Sequence, residues 1–352
     1  MIYFRCDVSE KTGWGHLSRC LILAESLNEH TQTCFILSIP TTSVAQRIRA
    51  VGADIHALPA GLSYAQEIEY YPTGLQNIVI DLGHRHNLEA PAALLKYLNA
   101  LAREGKDIVI IDGLDDDSFR DKRAPKVKAY VQPYWGVEEG ATPNSEHWFF
   151  GSEYVLLGKA YENAYKKRSP QAINNILVTF GGSDPQGNTI KALEGLSKND
   201  NLKVRAIIGP SFSCEHIAQI NELRGRSSIE IVTAPKDLME HYTWADLGVC
   251  GSGTSRYEAA ACGLPILFTA IYPQHEQLSK TFASFGTAQY MGLCSELSTD
   301  DWAAALSALR KAPENYISMV NSIEDMRHDT HGAKKLSTTL LRVFSHEKNN
   351  RD

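Results

Sequence analysis

At 352 residues the chain has room for two domains of ordinary size. A net charge of −6 argues against a nucleic-acid partner, and no stretch approaches the ~18 apolar residues of a membrane span. Seven cysteines without a CxxC pair suit reduced, buried thiols in a cytoplasmic protein, not a disulfide framework.

In chain order, "MIYFRC" reads as a first strand, with no charged and apolar leader before it. An apolar helix follows, its face set by Leu17, Cys20, Leu21, Ala24 and Leu27. The runs "TCFILSI", "NIVID" and "DIVIID" continue the strand series. A polar stretch, "ENAYKKRSPQAINN", interrupts it at 162–175. The rhythm then restarts with "NILVTF", "LKVRAIIG", "IEIVTA", "DLGVCG" and "PILFTA". These short runs do not alternate, as expected of strands buried on both faces of a parallel sheet. The expected fold is α/β, with two Rossmann-like, doubly wound domains over 1–160 and 172–330 facing across a cleft. A C-terminal helix and tail over 331–352 should pack on one of them.

Ligands of such sheets bind beyond the C-terminal strand ends, so residues that follow strands are the candidates. Gly13 and Gly15 flank Trp14 between the first strand and its helix, and His16 stands at the helix start. Glycine there allows a tight turn or the approach of a ligand. The positive helix end favours a neutral imidazole, which can accept a proton. The alternative is a turn histidine facing water. Asp81, His84 and His86 follow another strand; Asp81 is expected to cap a loop or orient a histidine. His84-x-His86 lacks further ligands at metal-site spacing, so no metal or other cofactor is expected. Asp112 also ends a strand.

In the second half, Gly181-Gly182-Ser183 could present amides and a hydroxyl to a phosphate, or form a plain turn in which Asp184 caps the next helix. Gly251-Ser252-Gly253-Thr254 runs into a short helix carrying Glu258. Small hydroxyl residues and glycines at a helix start suit an anion, and a glutamate one turn in can receive ribose hydroxyls. Gln274 or Gln277, in "YPQHEQLS", could reach a sugar or phosphate, or simply begin a helix.

The opening "RCDVSEKTGWGHLSRCLILAESL", with Gly13-x-Gly15-His16-x-x-Arg19, resembles that of the UDP-sugar hydrolases of pseudaminic acid biosynthesis and of spore-coat polysaccharide proteins. "GSEYVLLGKAY", "FGGSDPQGNT", "GSGTSRYEAAACGLP" and "HGAKKLSTTLL" follow in the family's order, over nearly the full chain. The resemblance implies the GT-B fold, a catalytic base at His16 and a substrate contact at Arg19. It implies diphosphate on the Gly251–Thr254 loop, ribose on Glu258, and uracil on main chain of the second domain. Leu82-Gly83-His84 stands where those hydrolases tend to carry His-Tyr-Gly, and His84 could supply the lost polar contact. Gln274-His275 stands where they carry Asn-Gln on the sugar. The expected reaction is hydrolysis of a UDP-linked amino or deoxy sugar at its anomeric C–O bond, releasing sugar and UDP for surface polysaccharide or nonulosonic acid synthesis. An inverting glycosyltransferase, a nucleotide-sugar epimerase and a non-catalytic nucleotide-sugar binding subunit are the alternatives.

Overall fold

The structure is a computed structural model and describes residues 1–8, 14–82, 90–111, 123–137, 143–168, 172–199, 201–224, 228–325 and 329–345. The chain divides into two units; the first comprises 1–8, 16–156 and the residues from His331 onward, and the second 157–330 with Trp14 and Gly15.

The first unit begins with β1 (Ile2–Cys6), α1 (Gly15–Leu27), β2 (Thr33–Ser38), α2 (Thr42–Ala50), β3 (Asp54–Leu58) and α3 (Tyr64–Glu67). It continues with β4 (Asn77–Asp81), α4 (Ala90–Arg103), β5 (Asp107–Ile111), β6 (Val127–Gln132) and β7 (Ser145–Phe150). Its seven strands form one parallel sheet in the order β3-β2-β1-β4-β5-β6-β7. The central strands are apolar throughout because helices cover both faces. Ile36, Ile78, Ile80, Ile108 and Ile110 on one face pack with Leu94, Tyr97 and Leu98 of α4.

The second unit contains β8 (Asn175–Thr179), α5 (Asn188–Leu196), β9 (Lys203–Ile208), α6 (Cys214–Leu223), β10 (Ser228–Thr233) and α7 (Met239–Trp244). It goes on with β11 (Leu247–Gly251), α8 (Ser255–Ala261), β12 (Ile266–Ala270), α9 (Glu276–Ser284), β13 (Ala288–Leu293), α10 (Thr299–Lys311) and α11 (Pro313–Asp325). Six parallel strands lie in the order β10-β9-β8-β11-β12-β13. Ile176, Val178, Val204, Ala206 and Val249 pack with Leu193 of α5 and with Trp302 and Leu306 of α10.

The last helix, α12 (Gly332–Ser345), belongs to the first unit. The hydroxyls of Ser337 and Ser26 of α1 share a hydrogen bond of 2.8 Å. A side chain at Gly332 would put Cβ 2.2 Å from the carbonyl oxygen of Val155, so only glycine lets α12 start there.

Close approach also governs the loops after β8 and β9. A Cβ on Gly209 would stand 2.4 Å from the carbonyl oxygens of Gly181 and Gly182. Gly209→Ala is therefore expected to displace the Gly181–Gly182 turn and cost roughly 1–3 kcal/mol. Thermal unfolding measures this; a midpoint equal to the parent's would contradict the close approach.

Candidate functional site

In each unit the strand order reverses beside the first strand, between β1 and β4 and between β8 and β11. Ligands of open α/β sheets bind beyond the C-terminal ends of the strands at such a reversal. Both sets of candidate residues fall there.

In the first unit, Cys6 and Asp81 are opposite one another at the ends of β1 and β4. Asp81 has no exposure, and a carboxylate removed from water must be paired. Arg19, one helical turn along α1 from His16, supplies two N–H groups, Nε to Oδ2 at 3.1 Å and Nη2 to Oδ1 at 2.9 Å. Its Nη1 donates to the hydroxyl of Tyr134 at 2.6 Å. His16 Nδ1 lies 2.6 Å from Asp81 Oδ1 and donates to it. Nδ1 thus directs its proton at Asp81, from a side chain 17 % exposed. Arg19 Nη2 is also 3.1 Å from Nδ1; with the imidazole proton directed at Asp81, its own hydrogen goes to the carboxylate. The thiol of Cys20 stands 3.8 Å from Oδ2. Burial pushes that thiol well above its ordinary range, so it stays protonated and is not a nucleophile.

Gly15 has an unremarkable backbone, and a Cβ there would meet nothing within 4 Å. Neither backbone strain nor a neighbouring atom requires glycine there. Gly13 and His84, together with His86 and Asp112, lie outside the described residues.

In the second unit, packing accounts for the Gly181-Gly182-Ser183 turn. Gly181 takes a φ of +82°, and a Cβ on Gly182 would lie 2.7 Å from the ring of Trp14, whose Nε1 donates to Ser211 at 2.6 Å. Ser183 is buried. Asp184 accepts from the amides of Asn188 and Thr189 at 2.9 and 2.7 Å, and so caps α5.

The loop after β11 differs. A Cβ on Gly251 would crowd Ile271, 2.9 Å away at Cδ1, whereas Gly253 faces open space with ordinary backbone angles. Ser252 is buried, and its Oγ lies 3.3 Å from His275 Nδ1. The loop and the turn after β12 therefore meet, while Gln274 points to solvent. Thr254 precedes α8, and Glu258 sits in the helix's first turn. The hydroxyl of Tyr242 on α7 donates to Glu258 Oε2 at 2.9 Å. Burial pushes the Glu258 carboxyl up to about 7, although that hydrogen bond pulls the other way. Tyr134 and Tyr242 escape a sequence reading because neither is part of a motif. Tyr134 follows β6, whose apolar run is shortened by Lys128 and Gln132.

Among the described residues, no three His, Cys, Asp or Glu side chains are grouped to hold a metal ion, and no helix is long and apolar enough to cross a membrane.

No family profile matches the chain. Solved structures of the same architecture include MurG of Acinetobacter baumannii, at 12 % identity and a TM-score of 0.65 over 97 % of this chain and 99 % of that one. Another is the Anabaena protein HepE in complex with UDP-glucose, at 11 % identity and a TM-score of 0.59 over 97 % and 99 % of the two chains. At these identities the likeness is one of fold, and the fold is the two-domain GT-B fold of glycosyltransferases. In sequence, the chain is 26 % identical over 299 residues, 82 % of each protein, to the spore coat polysaccharide biosynthesis protein SpsG of Bacillus subtilis.

The raised Glu258 carboxyl makes a pH-dependent contribution to stability. Unfolded, the group ionises in the usual carboxylate range; folded, it keeps its proton up to about 7. The folded state binds more protons between those limits, so stability falls as pH rises through that window and levels off above it. Glu258→Gln should remove that fall and gain up to about 3 kcal/mol over the parent at pH 8 relative to pH 4. Thermal unfolding of both proteins across this range tests it; parallel curves would contradict the shift.

Proposed function

We propose that the chain acts on a nucleotide-activated sugar, UDP-linked, and hydrolyses its anomeric C–O bond. The observation that supports this most is the His16–Asp81 pair, a histidine at the start of α1 whose Nδ1 is held by a buried carboxylate at the end of β4. In this reading water attacks the anomeric carbon while Nε2 of His16 takes its proton. The C–O bond to the diphosphate breaks, and UDP leaves with the electron pair. Asp81 stabilises the imidazolium so formed, and Arg19 holds Asp81 in place. The first unit thus supplies the base and sugar contacts. The second unit takes the nucleotide: Ser252, Gly253 and Thr254 the diphosphate, and Oε1 of Glu258, the oxygen not held by Tyr242, the ribose hydroxyls. His275, held by Ser252, and Gln274 are further candidate substrate contacts of that unit.

The open space at Gly253 separates binding from folding. Gly253→Ala should leave the unfolding midpoint unchanged and weaken UDP binding several-fold, measured by calorimetry, because a methyl group then occupies the ligand's approach. Gly251→Ala, against Ile271, should instead lower the midpoint. Equal UDP affinity in Gly253→Ala and parent would count against the loop as the diphosphate site.

The second reading is an inverting glycosyltransferase, in which an acceptor hydroxyl replaces water. The fold accommodates it equally, since glycosyltransferases share that fold. Incubation with candidate UDP-, CDP- and GDP-sugars in 18O-water decides between them. Label in free sugar at catalytic rates supports hydrolysis, and turnover only with an added acceptor supports transfer. In either case His16→Ala should lower turnover by ~100-fold or more while UDP affinity stays within a few-fold. Turnover near the parent's would exclude His16 as the base.

A further inference from the structure

Asp7 has no part in the reading above, yet its carboxylate is anchored at both oxygens. It is the first residue past β1, one step beyond the Cys6–Asp81 pair. It therefore lies on the β1 side of the strand-end opening that Asp81 borders from β4. Arg5 Nη1 donates to Asp7 Oδ1 at 3.0 Å, and the hydroxyl of Tyr64 donates to Oδ2 at 3.2 Å. Arg5 is buried and already makes a two-pronged pair with Glu67, Nε and Nη2 each 2.8 Å from a carboxylate oxygen. The ring of Tyr64 lies 5.6 Å from the guanidinium carbon.

One arginine against two carboxylates leaves a surplus negative charge in this group. Arg19 offsets Asp81 separately. Desolvating Arg5 and Glu67 costs about as much as their attraction returns, so stability alone is a poor reason for the arrangement. Its visible effect is to hold Asp7, 19 % exposed, in one orientation at the ligand-binding edge of the sheet. Each anchored oxygen keeps a further lone pair. A phosphate would be repelled here, whereas a neutral group with O–H or N–H donors would be held strongly by an ionised acceptor. We propose that Asp7 is a substrate-binding residue that accepts hydrogen bonds from hydroxyl or amide N–H groups of the sugar, and that Arg5, Glu67 and Tyr64 are its positioning residues. This rests on the nucleotide-sugar reading.

Calorimetry with UDP, UDP-glucose and UDP-N-acetylglucosamine tests it on the full chain. The parent should bind one of the sugar nucleotides more tightly than UDP. Asp7→Asn should weaken that sugar nucleotide about ten-fold and leave UDP within about two-fold, the loss of hydrogen bonds to a charged group. Tyr64→Phe, which keeps the charge and frees one oxygen, should weaken it by a smaller factor, and decides the matter if Asp7→Asn does not fold. Unchanged sugar-nucleotide affinity, or equal losses for UDP and sugar nucleotide, would overturn the role of Asp7 alone. A parent that binds none of the three would overturn the nucleotide reading and this inference with it.

Discussion

A carboxylate with no access to water dictates what surrounds it, and Asp81 does so at the end of β4. Its charge can be kept only if cationic and N–H partners close around it. Arg19 and His16 do this from α1, three residues apart and so on one side of that helix. The requirement pins the first turn of α1 to the end of β4, although 65 residues separate His16 from Asp81 in sequence. It also settles which nitrogen of His16 carries the proton. The burial that makes Asp81 need partners is also what holds the His16 ring in one orientation.

The same strand order in both sheets brings unrelated segments together in the same way. The ends of β1 and β4 carry ionisable groups, Asp7 and Asp81, with His16 and Arg19 beside them. The ends of β8 and β11 carry glycines and hydroxyls, with Glu258 one turn into α8. The strand ends of one unit thus carry charged groups, and those of the other carry mostly small polar ones. The contrast lies in the side chains at the strand ends and not in the scaffold, which is a three-layer parallel sheet in each case.

Much of this was legible in the residues, and what was not has a physical cause. The central strands stood out because burial on both faces demands unbroken apolar runs, as in "NIVID" and "NILVTF". β3, β7 and β13 lie at sheet edges, where partial exposure lets polar residues in and the runs disappear; β6 is buried except at Lys128, but Lys128 and Gln132 shorten its apolar run. With β6 went Tyr134. Asp81 as a partner of a histidine could be read from its place after a strand. Its pairing with Arg19 could not, since nothing local links the two. Gly182 illustrates the reverse: its sequence allowed a phosphate cradle or a plain turn, and the ring of Trp14, distant in sequence, gives a packing reason for glycine that no local pattern shows.

The position of α12 bears on how the protein is made. The first unit is discontinuous, interrupted by residues 157–330 and completed only by the last helix. On the ribosome every strand of the second unit has emerged before Gly332, so that unit can close while the first still lacks a piece. Until then Ser26 lacks Ser337, and the backbone at Val155 lacks the glycine fitted to it. The half that starts first is therefore finished last, and a premature stop within α12 would damage the N-terminal unit while sparing the one translated after it.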